Sequence, residues 1–574
     1  MPPHLHRPRL TEVAAMAAAT TLLVACSDEL VQTAKRQPGA AADPGGALDC
    51  SGDAPPNTLP PGAQFGDGDP PEASSPLAGF GYGPQQGPGL YVIARDTFRV
   101  YVNGQLVGQS DDARTSRFFP LSLLPGENVI ALAVHAHRGA PAALVQLEEL
   151  ERSYGSGGDW KLSSSPQGDW RATGYDDSAW AVASELGDFD DLSGCDPATF
   201  PPDPVAKWIG ADLATSGPIA LRKTIRIVPT GFGAATTGGA AAPQVLVNTW
   251  EDLEALASSD EPATILLPEG VHDFRRRGDA IEDAEVCPST CADQPDKVVH
   301  RALTSDFVCT EPLVVQQRDA RTIALGSNKT IVGLGRGAAI RGVSFEVESE
   351  QNVIFRNIAF FGINPHLLEA RDALTIREAE RLWIDHATFK WVSDAFLDVH
   401  AGTRETTISY ALFDGGTDGE CGGQERWGTT FTDTHATIHH SRFDQLNTRA
   451  PAAEGPESRI HLFNNVHSNT TGWTVGSECL SQVLLEGSFF ENTAAATRIS
   501  TCDTGEAGRL NAVAGTNLYR DESAVHVGGD GTEPHDLVFE PGYAYELEPA
   551  AEARLRVLAR AGFGGPWALS LALD

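Results

Sequence analysis

The sequence predicts an all-β chain: a right-handed parallel β-helix solenoid preceded by a β-sandwich (jelly-roll) module. Three observations carry this. First, a short β-prone run closing on an aromatic recurs as QNVIFRNIAF to Phe360, ERLWIDHATF to Phe389, ETTISYALF to Phe413, ATIHHSRF to Phe443 and LSQVLLEGSFF to Phe490, with SRIHLFNNV to Val466 fitting between them. Spacings of roughly 23 to 30 residues, each unit too short to bury its own face, are the signature of a solenoid. Second, Val, Ile, Thr and Phe alternate with polar residues, almost without helical periodicity, so the rungs are strands. Third, LYVIARDTFRVYVNGQLVG and FFPLSLLPGENVIALAVHAH alternate around turn residues upstream, an antiparallel pattern.

The elements follow in chain order. Residues 1–26 have the form of an export signal: His4, His6, Arg7 and Arg9, then VAAMAAATTLLVA, too short to span a bilayer, then Leu23-Val24-Ala25-Cys26. The last run resembles a bacterial lipobox, which implies cleavage before Cys26 and a lipid on its thiol; an ordinary secretory signal is the alternative. Either way the expected location is outside the cytoplasm, as an outer-membrane or cell-surface lipoprotein or else secreted. Residues 27–47 are a flexible linker rich in Pro, Gly and Ala.

Residues 48–228 form the sandwich. Its VNGQLVG hairpin, its LLPGENVIALAV strand and WRATGYDDSAW resemble galactose-binding-like jelly-roll modules. Trp160, Trp170, Trp180 and Trp208 either stack on sugar rings there or form core. PTGFGAATTGGAAAP, residues 229–243, is a small-residue linker. Residues 244–574 are the solenoid. VLVNTWEDLEALASSDEPATILLPEGVH reads strand, short helix, strand, a cap over the first rung, because bare solenoid edges would pair with other chains. A disulfide-tied loop occupies residues 273–312, and PAAEARLRVLARAG is a closing helix.

Composition narrows the function. Acidic residues number 77 against 42 basic, a formal net charge of -35, so nothing resembles a nucleic-acid footprint. Nine cysteines less Cys26 leave eight, which outside the cytoplasm suit disulfides better than metal. Cys50 with Cys195 and Cys479 with Cys502 are the expected pairs.

Asp372 opens the strand DALTI, and Asp394 and Asp398 lie one rung later in SDAFLDVH. Adjacent rungs stand about 5 Å apart. Three converging carboxylates must protonate or hold a cation, and hard oxygen ligands suit Ca²⁺. The plain alternative is three solvated turn aspartates.

WIDH (383–386), DAFLD (394–398), TISY (407–410), NTRAP (447–451) and IHLFNN (460–465), in that order, resemble the signature of the pectate lyase and pectin lyase family, the type-one polysaccharide lyases. GSNKTIVGLG upstream and YAYELEP and AGFG downstream extend the match over most of 244–574. The resemblance implies Asp372, Asp394 and Asp398 as calcium ligands and Arg449 as the base that removes the C5 proton. Arg459 and His386 are candidates for holding substrate. The implied function is calcium-dependent cleavage of polygalacturonate (pectate) or a related uronic-acid polymer by β-elimination, by a monomer. That chemistry takes a proton from a carbon beside a carboxylate, and a bound cation stabilises the charge that develops. Arginine is ordinarily too basic for such a role, with a pKa above about 12, and burial beside a cation would free its lone pair. A rung-capping salt bridge is the structural alternative for Arg449.

The chain also departs from the pattern. The position of a substrate-gripping lysine falls at or near Asp418, and that of a second arginine falls on Glu454, with Arg459 as its possible substitute. A non-catalytic cell-surface glycan-binding or adhesion protein is therefore the alternative, and a pectin lyase working without calcium is a third. His400, His439, His440 and His461 alternate with apolar residues and are expected to stack or hydrogen-bond within the solenoid. Hydrolysis would need paired carboxylic acids in a polygalacturonase-like NTD, DD, GHG, RIK series, which the sequence lacks.

Overall fold

A computed structural model describes residues 87–571 except 112–114, 137–139, 192–199, 202–203, 212–216, 241, 292–293, 304–308, 310–313, 417–426, 503–504, 521–522, 524–525 and 529–537. Cys26, Cys50, Cys195, Asp418 and the linker 27–47 lie outside the described residues.

From residue 244 the chain winds into a parallel β-helix of three sheets, successive rungs adding one strand to each. One, called here the site sheet, comprises Arg321–Ala324, Val343–Glu348, Leu374–Arg377, Leu397–Val399, Thr429–Thr432, Ala452–Glu454, Trp473–Glu478, Ala495–Ser500 and His526–Gly528. The second sheet runs from Gln244–Leu246 to Arg509–Ala512, and the third from Gly270–Asp273 to Leu518–Tyr519. The interior is one continuous hydrophobic core fed by all three sheets, with a stacked column along the third. Phe360, Phe389, Phe413, Phe443, His467, Phe490 and Tyr519 pair in register on the third sheet, with ring centroids 4.6–5.3 Å apart. The five repeat-closing phenylalanines are thus the ladder. Val466 is not: it packs outward with Phe489 and Val557, and His467 takes the inward place.

A second column forms where the second sheet turns into the third. Asn357, His386, Tyr410, His440 and Asn464 all adopt left-handed backbone there, which lets each rung turn sharply. His386 and His440 stack on Tyr410 at 4.8 and 5.0 Å.

The solenoid's start is capped as its sequence predicts. Helix α1 (Trp250–Ala257) begins at Thr249, whose hydroxyl accepts from the Asp252 amide, and it lays Trp250, Leu253 and Ala257 over the first rung. Helix α2 (Ala550–Arg560) lies near the other terminus, Val557 against Val466 and Phe489. The segment predicted as a disulfide-tied loop is a three-stranded antiparallel sheet, Glu282–Cys291, Gln294–Ala302 and Val314–Arg318, closed by the Cys287–Cys309 disulfide.

Residues 89–227 build two antiparallel sheets of a sandwich. Trp160, Trp170 and Trp208 are buried and Trp180 packs on Trp170, so these rings serve packing and not an open sugar platform. The sandwich does not stand apart. Its core continues into Leu266, Val332, Leu334, Ile354 and Trp383 of the solenoid's second sheet. Arg356, 2 % exposed, is bonded there to Glu149 of the sandwich at 2.9 Å and to Asp385. Such a triad tolerates burial only when complete.

Residues 229–243 are likewise not a free spacer. They form a strap across the second sheet: Phe232 N donates to Thr437 Oγ1 (3.0 Å), Gly233 N to Thr407 Oγ1 (2.9 Å), Gly238 N to Asn352 Oδ1 (2.8 Å) and Gly239 N to Thr330 Oγ1 (2.9 Å). Small residues occur there because the backbone lies flat on the sheet. A Cβ on Gly238, φ +56°, would collide with Thr330 and Ile354.

Candidate functional site

The register of the site sheet decides which side chains meet. Asp398 faces outward beside Thr375 on one rung and Thr430 on the next. Asp372 sits just before the strand that carries Thr375 and accepts from its hydroxyl at 2.8 Å. Asp394, in the turn leading to Leu397–Val399, accepts from the Ala395 amide at 3.0 Å. The structure therefore brings the three predicted carboxylates to one face. Burial, then Asp394 and Asp398, push the Asp372 carboxyl up to about 8. Burial, then Glu369, raise Asp394 to about 6, with Arg449 pulling the other way. These mutual effects mark a site short of positive charge. The donor chemistry, hard oxygens on adjacent rungs, fits a divalent cation such as Ca²⁺. The shell is open, however: among the described residues no three such groups close around a point as a finished metal site.

Arg449 lies on the same face, in the turn before Ala452–Glu454, with left-handed backbone (φ 59°). Its Nη1 donates to Thr430 Oγ1 at 3.3 Å, and its guanidinium stands 4.9 Å from the Trp427 ring centroid. Arg449 is thus held by a hydroxyl and an aromatic face, and among the described residues it makes no rung-capping salt bridge. Glu454 also faces out here, beside Thr432 and, by the Ala453–Ser477 register, next to Glu478. Burial raises its pKa, opposed by Arg449 and reinforced by Glu478 and Asp398.

Two predicted residues are elsewhere. Arg459 begins a strand of the second sheet, exposed and in register with His435 and Gln482, so it does not replace the arginine missing at Glu454. His386 is fully buried in the turn column, its Nδ1 2.9 Å from Asp385, and cannot touch a polymer on the site sheet. His440 stacks in the turn column, whereas His439 and His461 are buried on the outer face of the second sheet, His439 on Phe463 and His461 between Tyr543 and Glu486. His400 alone joins the site, 2.9 Å from Asp398.

Sequence reasoning missed Glu369, Arg301 and Trp427. Glu369 precedes Asp372 by three residues and is ion-paired with Arg301 of the inserted sheet. That sheet docks beside the acidic cluster through Ala302 N to Leu368 O (2.9 Å) and Leu368 N to His300 O (2.8 Å). No sequence pattern links residue 301 to 369; the contact exists only after the insert folds back.

Fold and site together define a parallel β-helix protein with an acidic trio and an arginine on one sheet. The chain belongs to the pectate lyase family. The family model described as pectate lyase matches residues 296–564. Probable pectin lyase B of Aspergillus niger is 30% identical over 283 residues, covering 47% of this chain and 74% of that protein. Probable pectin lyase F of Emericella nidulans is 31% identical over 276 residues, covering 46% of this chain; the chain spans 58% of that relative's length. Among solved structures, pectate lyase II from Xanthomonas campestris pv. campestris aligns with 59% of this chain and 100% of its own at 21% identity, with a TM-score of 0.39.

Proposed function

We propose that the protein is a calcium-dependent lyase that cleaves polygalacturonate or a related uronic-acid polymer by β-elimination. One observation carries this reading: Asp372, Asp394 and Asp398 share the face that presents Arg449, and burial together with neighbouring carboxylates raises the pKa of Asp372 and of Asp394. Asp372, Asp394 and Asp398 would hold the ion. When bound, calcium would neutralise a uronate carboxylate and make the neighbouring C5–H more acidic. Arg449 takes the C5 proton. The electron pair left on C5 forms the C4–C5 double bond, the C4–O bond breaks, and the leaving oxygen is protonated from solvent. Thr430 and the Trp427 face hold the guanidinium in place for that transfer.

A second reading, elimination on methyl-esterified polymer, draws on two observations. Glu454 and Glu478 add carboxylates where a polyanion must lie, and the curated relatives above are named pectin lyases. The test is ultraviolet absorbance of the unsaturated product from full-length protein, on polygalacturonate and on esterified pectin, with calcium and with chelator. Arg449→Ala is expected to lower kcat at least about 100-fold without moving the unfolding midpoint. Chelator-sensitive turnover of polygalacturonate supports the first reading, and chelator-resistant turnover of esterified pectin the second. Retention of both polymers without turnover would leave the glycan-binding alternative.

A further inference from the structure

Beyond the carboxylate face, the last full rungs bring two thiols together. Trp473–Glu478 ends in a tight turn in which Cys479 and Leu480 are both left-handed, closed by Ser481 N to Glu478 O at 3.0 Å. One rung later, Ala495–Ser500 leads into a short hairpin, with Gly505 N donating to Cys502 O (2.8 Å) and Gly508 N to Ser500 O (3.1 Å). The hairpin folds back on the turn: Ala507 bridges to both Glu478 and Thr501, and Leu480 N donates to Ala507 O at 3.2 Å. Gly508 has no room for a Cβ, which would run into Ser477 and Glu478. Cys479 and Cys502 therefore face each other across one rung step, near enough for their side chains to hydrogen-bond, and the structure holds both as thiols.

We infer that Cys479 and Cys502 form a disulfide clasp when the chain meets a disulfide oxidant, and that the clasp secures the terminal rungs of the solenoid. In the exchange, the oxidant's S–S bond breaks and Cys502 sulfur takes one half as a mixed disulfide. The other half leaves as a thiol; Cys479 sulfur then attacks Cys502 sulfur and expels the half that Cys502 carries, as a second thiol. The protein loses two electrons and two protons, and the oxidant becomes two thiols. Burial, the neighbouring Cys502 sulfur, Glu478 and Glu454 raise the Cys479 pKa to about 12, which disfavours its thiolate as the first attacker.

The location explains what the bond does. Each rung of a solenoid is held only by its neighbours, so the ends fray. Beyond Ala512, among the described residues, only Leu518–Tyr519 in the third sheet and His526–Gly528 in the site sheet follow. A link between consecutive turns ties Ala495–Ser500 to Trp473–Glu478, the strand that stacks directly on the one carrying Glu454. Cys287–Cys309 clamps an insert and gives the rungs no such support.

The test uses full-length protein, reduced and then treated with glutathione disulfide. Peptide mapping without reductant is expected to give Cys479 and Cys502 as one cross-linked pair, with amide exchange in 482–512 slowed by about tenfold relative to the reduced protein. Cys479→Ser and Cys502→Ser should each abolish that protection, and the double variant should lose no more than either single one, while Cys287→Ser keeps it. Stable mixed disulfides at both sites without a cross-link, or cross-linking with no change in exchange, would overturn the inference.

Discussion

Within the aromatic ladder, His467 is the odd rung. It lies between Phe443 and Phe490 with neither ring nitrogen making a well-formed hydrogen bond, although the Ala450 carbonyl slightly favours its charged form. Burial depresses its pKa to about 3. The unfolded chain, titrating near about 6.5, gains the proton first. Stability is therefore intact above about pH 6.5 and is lost as pH falls toward about 3. His467→Phe is expected to add about 1–2 kcal/mol at neutral pH and to flatten that acid slope, measured by urea unfolding at several pH values. Asp372 has the opposite sign. Its folded value of about 8 lies above the unfolded value near about 3.9, so the calcium-free protein loses stability as pH rises between them. In chelator, Asp372→Asn should lose less stability between about pH 6 and about pH 9 than the parent. Adding calcium should stabilise the parent most at alkaline pH and the variant little. That Asp372, Asp394, Asp398 and Arg449 would share one face was legible because motif order and strand register agree. His386 was not: it sits beside those motifs in sequence, but its left-handed turn points it into the opposite column.

Among the elements, the rungs were legible to the residue wherever an aromatic closed the repeat. The exception at Val466 has a physical cause. Both Val466 and His467 are buried, one under α2 and one inside the ladder, and sequence hydrophobicity favours the wrong one as the inward residue. Segment 229–243 was misjudged for a similar reason: composition cannot separate residues that are small for flexibility from residues that are small for close approach. Gly238→Ala distinguishes the two. A free linker would tolerate it, whereas the strap, with its left-handed backbone against Thr330, should lose about 1–3 kcal/mol in equilibrium unfolding.

For the molecule as a whole, the sandwich and the solenoid share a core that their separate sequence patterns concealed. Trp383 and Ile354 alternate as any rung residues do, and nothing in the chain announces that their outer face meets another module. Removing Glu149 would strand Arg356 beside Asp385 in a dry interface. Glu149→Ala should cost about 3–5 kcal/mol, read as a lowered unfolding midpoint of the intact protein. A fragment beginning at residue 244 should be poorly soluble, since Leu266, Val332, Leu334, Ile354 and Trp383 would face water. Sugar binding by the sandwich would have to use surfaces other than its buried tryptophans.

The strap also acts as a gauge. It touches the solenoid at Thr330, Asn352, Thr407 and Thr437, in reverse chain order and at fixed intervals along its own backbone. Solenoids readily gain or lose a coil by duplication, because any two neighbouring coils fit one another. Here an added coil between Thr330 and Thr437 would leave the strap one step too short, so the number of coils over that span is set by a segment that belongs to none of them.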